Sequence, residues 1–238
     1  MKRSFLIAAL FLGGLVVHPA VVRGQTLSPV GTWEVILLGA DKGTAMMTFS
    51  NDFTVSGYGI ARKQFGLFTL TGTWAFSAPG EVVVAYVQTV NGVGSAVSFK
   101  ALLLRNGRFR AKGTGPGGSN FHFKGDQPAN LPDLSGSWTA SGKRRGKSLN
   151  ELYTVTASTN FPAVFDVTGM GLSDAGSFTL TGAIIASSRN QLNASIDRTF
   201  GVDIQRSSLF GKVKPSKPEM QLQGIDDTRA HLKLKVTQ

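Results

Sequence analysis

The sequence predicts an all-β protein, a tandem duplication of an eight-stranded antiparallel meander closed as two small β-barrels. Three observations carry this reading. First, two distant segments are copies of each other. Phe53-Thr-Val-Ser-Gly57-Tyr-Gly59-Ile60, then Gly66-Leu-Phe68-Thr-Leu70-Thr-Gly72, returns as Phe165-Asp-Val-Thr-Gly169-Met-Gly171-Leu172, then Gly176-Ser-Phe178-Thr-Leu180-Thr-Gly182. Second, these copies have a period of two. Phe68, Leu70, Gly72, Trp74 and Phe76 point one way and Thr69, Thr71, Thr73 and Ala75 the other, the pattern of a strand with one buried face. Third, turn signals recur at short intervals, and no stretch keeps a helical period long enough for βαβ crossovers.

Taken in order, the chain opens like an export signal. Lys2 and Arg3 precede an apolar run from Phe5 to Val17, shorter than the ~20 residues a helix needs to span a bilayer. Residues 1–24 therefore read as a cleaved leader, with Val22-Arg23-Gly24 as the small-residue cleavage site and His18-Pro19-Ala20 as the alternative. The first repeat occupies residues 27–125, with strands expected near 30–38, 43–50, 53–60, 66–76, 81–89, 95–105, 108–113 and 119–124. Asn51-Asp52, Pro79-Gly80, Asn91-Gly92 and Asn106-Gly107 separate them. Asn-Gly favours a hairpin because both residues accept positive φ.

Asp126 to Asp133, with Pro128 and Pro132, reads as a linker, and the second repeat occupies residues 134–236. Gly31-Thr-Trp33 returns as Gly136-Ser-Trp138, Phe99–Gly113 aligns without a gap on Phe210–Gly224, and Asn120–Lys124 matches Arg229–Lys233. Glycines favour a barrel over a sandwich. Gly57, Gly59 and Gly72 share the inward phase and return as Gly169, Gly171 and Gly182. Inward glycine marks a sharp bend or close backbone approach, which a small barrel needs more than a flat sandwich. Tyr58 and Met170, on the opposite phase, should be exposed or covered by the partner domain.

A Gly-x-Trp on the first strand of an eight-stranded meander resembles the calycins, the lipocalin and avidin families. Leu134-Ser-Gly136-Ser-Trp138-Thr139 in particular resembles the start of an avidin. The resemblance implies up-and-down barrels of calycin type that hold small ligands inside. The chain departs from the pattern in several places. No Thr-Asp-Tyr motif or C-terminal helix of lipocalin type follows, and Ala140 stands where avidins usually have a ligand-binding asparagine. Biotin binding is not implied.

The sequence offers little for catalysis. There is no cysteine, hence no disulfide or thiolate chemistry. No Gly-x-Ser-x-Gly or His-Glu-x-x-His occurs, so the chain reads as no enzyme, with no cofactor and no metal site. Gly113–Gly118 contains the letters of a dinucleotide fingerprint, but a strand follows rather than a helix, and Pro116 sits inside it. Gly142-Lys-Arg-Arg-Gly146-Lys147-Ser148 nearly spells a phosphate loop, but Ser141 replaces the first glycine and no helix follows. Asn193-Ala-Ser195 fits a glycosylation sequon. His122 and His231 read as equivalent positions on the polar face of the last strands.

Binding is better supported. Trp33, Trp74 and Trp138 share the inward phase, where they either line a ligand cavity or plug a barrel end. The chain holds 25 Lys and Arg against 14 Asp and Glu, a net charge of +11, and the leader removes only Lys2, Arg3 and Arg23 of these. Two basic clusters are candidate anion-binding sites. One is Lys143, Arg144, Arg145 and Lys147 in the first hairpin of copy two, where a solvated turn is the alternative. The other is Arg108, Arg110 and Lys112, facing His122 and Lys124 across a hairpin, with a solvated, lysine-protected edge as its alternative. Neither is interleaved with the exposed aromatics that grip single-stranded nucleic acid. The expectation is a secreted or periplasmic, non-catalytic binding module for a small apolar ligand. The competing reading is an envelope component that associates with an anionic polysaccharide or membrane surface. No transmembrane segment is expected after cleavage. An outer-membrane barrel fits poorly, because Arg108-Phe-Arg110-Ala-Lys112 puts charge on one whole face.

Overall fold

A computed structural model describes residues 27–39, 42–115, 120–214 and 216–238. The leader, and residues 116–118 of the glycine-rich turn, lie outside the described residues. The first barrel contains β1 (Gly31–Gly39), β2 (Gly43–Phe49), β3 (Thr54–Ala61), β4 (Leu67–Ala78), β5 (Glu81–Val90), β6 (Val93–Leu104), β7 (Arg108–Thr114) and β8 (Asn120–Asp126). The second contains β9 (Gly136–Arg144), β10 (Lys147–Ala157), β11 (Val164–Ser173), β12 (Gly176–Ala186), β13 (Gln191–Phe200), β14 (Asp203–Lys214), β15 (Glu219–Asp226) and β16 (His231–Thr237). Each is an antiparallel meander that closes on itself, β8 pairing with β1 and β16 with β9. Closure leaves no open sheet edge.

The alternation holds. Phe68, Leu70 and Trp74 are buried, while Thr69, Thr71 and Thr73 are exposed. The repeated glycines allow close approach between neighbouring strands. A Cβ on Gly72 would lie 2.1 Å from the Ala85 carbonyl oxygen, and one on Gly182 would lie 2.1 Å from that of Ser195. Gly59 and Gly171 instead lie beneath the rings of their cross-strand partners Phe68 and Phe178, which explains why glycine and phenylalanine return together.

Pairing corrects four details of the sequence reading. Phe99 pairs with Gly113, but Leu209 pairs with Gly224. Leu209 is therefore the inward counterpart of Phe99, and the gapless match is one residue out of register within β14. Such a slip reverses every side chain, so Phe210 faces outward. The last strands shift as well: Phe123 pairs with Leu37 and Leu234 with Gly142, so the counterpart of His122 is Lys233 rather than His231. Phe76, expected inside, is 43% exposed because β4 bulges between Phe76 and Ala78 at the barrel rim. Phe53, expected to begin a strand, has φ 64° in the preceding turn and lays its ring on Trp74, with centroids 5.1 Å apart.

The two interiors are filled differently. In the first, rings pack edge to face: Trp33 on Phe109 at 5.1 Å and Phe99 on Phe123 at 5.0 Å. In the second, aliphatic side chains surround a buried Glu151–Arg198 pair. The barrels meet through a third apolar cluster. Met46, Tyr58 and Ile60 of the first pack with Val164, Ala183 and Ile185 of the second. Tyr58 donates to the Pro162 carbonyl at 2.5 Å and stacks on Phe161, with centroids 4.5 Å apart. Tyr58 is thus covered by the second barrel, while Met170 is 63% exposed. Polar contacts surround this cluster: Ser188 N–H donates to Glu34 Oε2 at 2.7 Å, Asn193 Nδ2 to Thr44 Oγ1 at 2.8 Å, and Arg189 pairs with Asp126.

Candidate functional site

The three tryptophans fill the barrels. Trp33, Trp74 and Trp138 are each at most 5% exposed. Their indole N–H groups donate to backbone carbonyls of Pro29 at 2.5 Å, Ser50 at 3.1 Å and Leu134 at 2.8 Å. A satisfied indole against a filled interior offers a ligand neither space nor a free donor. None of the three lines the outer clefts described below.

Period-two alternation turns the basic residues outward, and the ladders decide which of them meet. On the first barrel Arg110 lies opposite Lys124, and Lys112 lies between His122 and Lys100. They border a cleft of 690 Å³ that also contains Leu38 and the half-exposed Leu102. Among the described residues Arg110, Lys112 and Lys124 form no ion pair. Lys100 does, with Glu81 at 3.5 Å. The Ser77 hydroxyl, and then Lys100, hold the Glu81 carboxyl below its ordinary range. Arg108 belongs elsewhere: it pairs with Asp126 at 2.8 Å, and Asp126 also takes Arg189 from the second barrel.

The hairpin cluster of copy two is mostly engaged in holding its own turns. Arg144 donates to Asp226 at 2.7 Å, and Arg145 to the Thr228 hydroxyl at 3.0 Å. Lys147 pairs with Asp174 at 3.4 Å. Burial pushes the Asp226 carboxyl up, but the Thr228 hydroxyl, the Ala230 N–H and Arg144 outweigh it and leave the group below its ordinary range. Lys143 is different. It borders a groove of 890 Å³ running across β13, β14, β15, β16 and β9.

Sequence reasoning did not find this groove. Two cross-strand rows form it. One runs Gln191, Lys212, Gln221, Lys235 and Ser141; the other runs Asn193, Phe210, Gln223, Lys233 and Lys143. Arg62 of the first barrel covers Phe210, its guanidinium carbon 3.6 Å from the ring centroid. At the rim Glu219 takes Lys214, Gln221 at 3.0 Å and Lys235 at 3.7 Å. Its hydrogen bond from Lys214, then that from Gln221, hold its carboxyl at about 2. The local signals, Gln221-x-Gln223 and Lys233-x-Lys235, were present in the sequence. Their meeting with β13 and β9 depended on register.

Also unforeseen is the polar group inside the second barrel. Arg198 Nη2 reaches Glu151 Oε2 at 3.2 Å, Tyr153 donates to the same carboxylate, and Arg198 donates to Ser207, all of them fully or almost fully buried. Burial, reinforced by Glu151, pushes the Tyr153 hydroxyl well above its ordinary value. Its sequence signal was a glutamate in phase with Leu149, Tyr153 and Val155.

No family model matches the chain, and no curated protein matches it. Three solved structures are similar at low level. A putative outer membrane protein from Bacteroides fragilis is 14% identical, with TM-score 0.31, covering 87% of this chain and 96% of that one. An agglutinin from Burkholderia oklahomensis is 11% identical, with TM-score 0.23, covering 87% and 94%. The Myxococcus xanthus hemagglutinin, solved with a3,a6-mannopentaose, is 13% identical, with TM-score 0.18, covering 88% and 93%. Scores of this size establish no shared arrangement, and no property of those proteins is carried to this chain. The calycin likeness accordingly extends to barrel architecture and to no shown family.

Proposed function

We propose that the chain is an exported, non-catalytic binding module that attaches to an anionic polymer through the cationic outer faces of its barrels. The observation that carries this is the meeting of Arg110 with Lys124 and of Lys112 with His122 on adjacent strands, with no ion pair on those two lysines or on Arg110 among the described residues. Like charges placed directly opposite destabilise a sheet, so their retention on one face favours a polyanion there. A small apolar ligand inside a barrel is disfavoured, because side chains fill both interiors. Such binding is screened by salt. Export rests on the basic and apolar leader, and a polysaccharide or membrane surface outside the cell would supply the polyanion.

The test is salt elution from a heparin column. Arg110→Gln, Lys112→Gln and Lys124→Gln together should elute at clearly lower salt than the parent. They should also elute earlier than a control carrying Lys42→Gln, Lys217→Gln and Arg229→Gln. Equal loss in both triple variants would reduce the effect to net charge and reject the face as a site.

A further inference from the structure

We infer that the groove across β13, β14, β15, β16 and β9 is a second, more selective site. Its ligand would be an acidic oligosaccharide that carries its acid groups on alternate sugars. The inference rests on the polyanion reading above and adds what the ligand must be made of.

The groove does more than concentrate positive charge. In the first row amide and ammonium alternate, Gln191, Lys212, Gln221 and then Lys235, strand by strand. The second row follows the same order over β13 to β16, Asn193 followed by Arg62 stacked on Phe210, then Gln223 and Lys233, and ends on β9 with Lys143 opposite Lys233. Ammonium and guanidinium groups only donate, whereas a side-chain amide both donates and accepts. A polyphosphate has no donor for those amide oxygens. A sugar hydroxyl satisfies both halves of an amide, so the alternation fits a chain that alternates acid and hydroxyl.

Spacing supports the same ligand. From β14 to β16 cation recurs on the second strand, Lys212 then Lys235, roughly 9.6 Å apart from interstrand spacings of ~4.8 Å. An extended pyranose chain repeats over a comparable length every second sugar. The groove crosses five strands, so it accommodates more than one such repeat. Nucleic acid fits less well, because the one aromatic side chain among the lining residues, Phe210, already lies beneath Arg62 and cannot receive a base. The floor is polar too. Asn193 is 4% exposed, and its carbonyl oxygen has no protein partner although its amide nitrogen holds Thr44.

Titration calorimetry with the full mature chain tests this, at fixed physiological salt. The probes are a hyaluronan hexasaccharide (carboxylate on alternate sugars), a chondroitin sulfate hexasaccharide of the same repeat, a galacturonate hexamer, neutral chitohexaose and a linear polyphosphate. The two alternating oligosaccharides should bind, and whichever is tighter identifies carboxylate or sulfate as the acid group. Polyphosphate and chitohexaose should bind at least about tenfold more weakly, the cost of unpaired amides or unused charge. Gln223→Leu should weaken the alternating oligosaccharides about fivefold and leave polyphosphate unchanged. Lys233→Gln should weaken every anionic probe. Both side chains are outward, and Gln223→Ser provides a second variant should Gln223→Leu fold poorly. Polyphosphate binding as tightly as hyaluronan, the galacturonate hexamer exceeding both alternating chains, or indifference to both Gln223 variants would overturn the inference. The Arg110, Lys112 and Lys124 result on the first barrel would still stand by itself, so failure of the groove and failure of the polyanion reading are separable.

Discussion

The buried pair of the second barrel gives the sharpest test of how its interior is held together. Glu151 and Arg198 are both inaccessible, and Tyr153 and Ser207 complete their hydrogen bonding. In the first barrel the corresponding ladder positions hold Ala45, Gln88, Met47 and Val97, so the fold does not require an ion pair there. Arg198→Met leaves a buried carboxylate with only Tyr153 as donor. Removing one partner of a buried pair costs about 3–5 kcal/mol. In a domain of this size that is a fall in melting temperature on the order of 20 °C. Replacing the group together, as Glu151→Leu, Tyr153→Phe and Arg198→Met, removes the desolvation cost along with the attraction. It should be neutral or stabilising by about 1–4 kcal/mol. Amide hydrogen exchange reads this barrel by barrel: amides of β13 should lose protection in the single variant and regain it in the triple, while amides of β5 serve as the internal control. A single variant within about 1 kcal/mol of the parent, or a triple variant as unstable as the single, would refute the reasoning.

Gly72→Ala and Gly182→Ala should each destabilise by about 1–3 kcal/mol through overpacking in chemical denaturation, because the new methyl meets a neighbouring carbonyl oxygen at 2.1 Å; tolerance at both sites would contradict the close approach. The turn joining β15 and β16 should loosen in acid. Asp226 is depressed in the folded state, so its contribution is present above the ordinary aspartate range and is lost as pH falls through the lower folded value. The exchange protection factors of the Thr228 and Ala230 amides should therefore fall on acidification in the parent, and be low and flat with pH in Asp226→Asn.

Most of the strand framework was legible because its cause is local. A period of two, interrupted by Asn-Gly and Pro-Gly, specifies strands and turns without reference to the rest of the chain. The expected boundaries of β1 to β8 fall within a few residues of those in the structure. The copied glycines showed where neighbouring strands would approach closely, since lack of a Cβ is a property of the residue itself. Face was legible wherever register was unambiguous, which is why Arg110, Lys112 and Lys124 share the outer surface. The sequence also showed Tyr58 on the outer phase, without showing which partner surface would cover it.

What only the tertiary structure decided depends on register between strands distant in sequence. Phe99 and Phe210 look equivalent along the chain, and one residue of slip in β14 puts one inside a barrel and the other under Arg62. Glu151 and Arg198 are separated by two intervening strands in the sequence and meet only because the barrel closes. Arg108 appeared to belong to a basic stripe, but β8 carries Asp126 directly opposite it, and the packing of the barrels brings Arg189 to the same carboxylate. The groove on the second barrel takes residues from five strands, and β9 joins β16 at the closure of the meander. Alternation is encoded residue by residue, whereas closure and cross-strand rows are relations between segments, and a single strand carries no record of its neighbours.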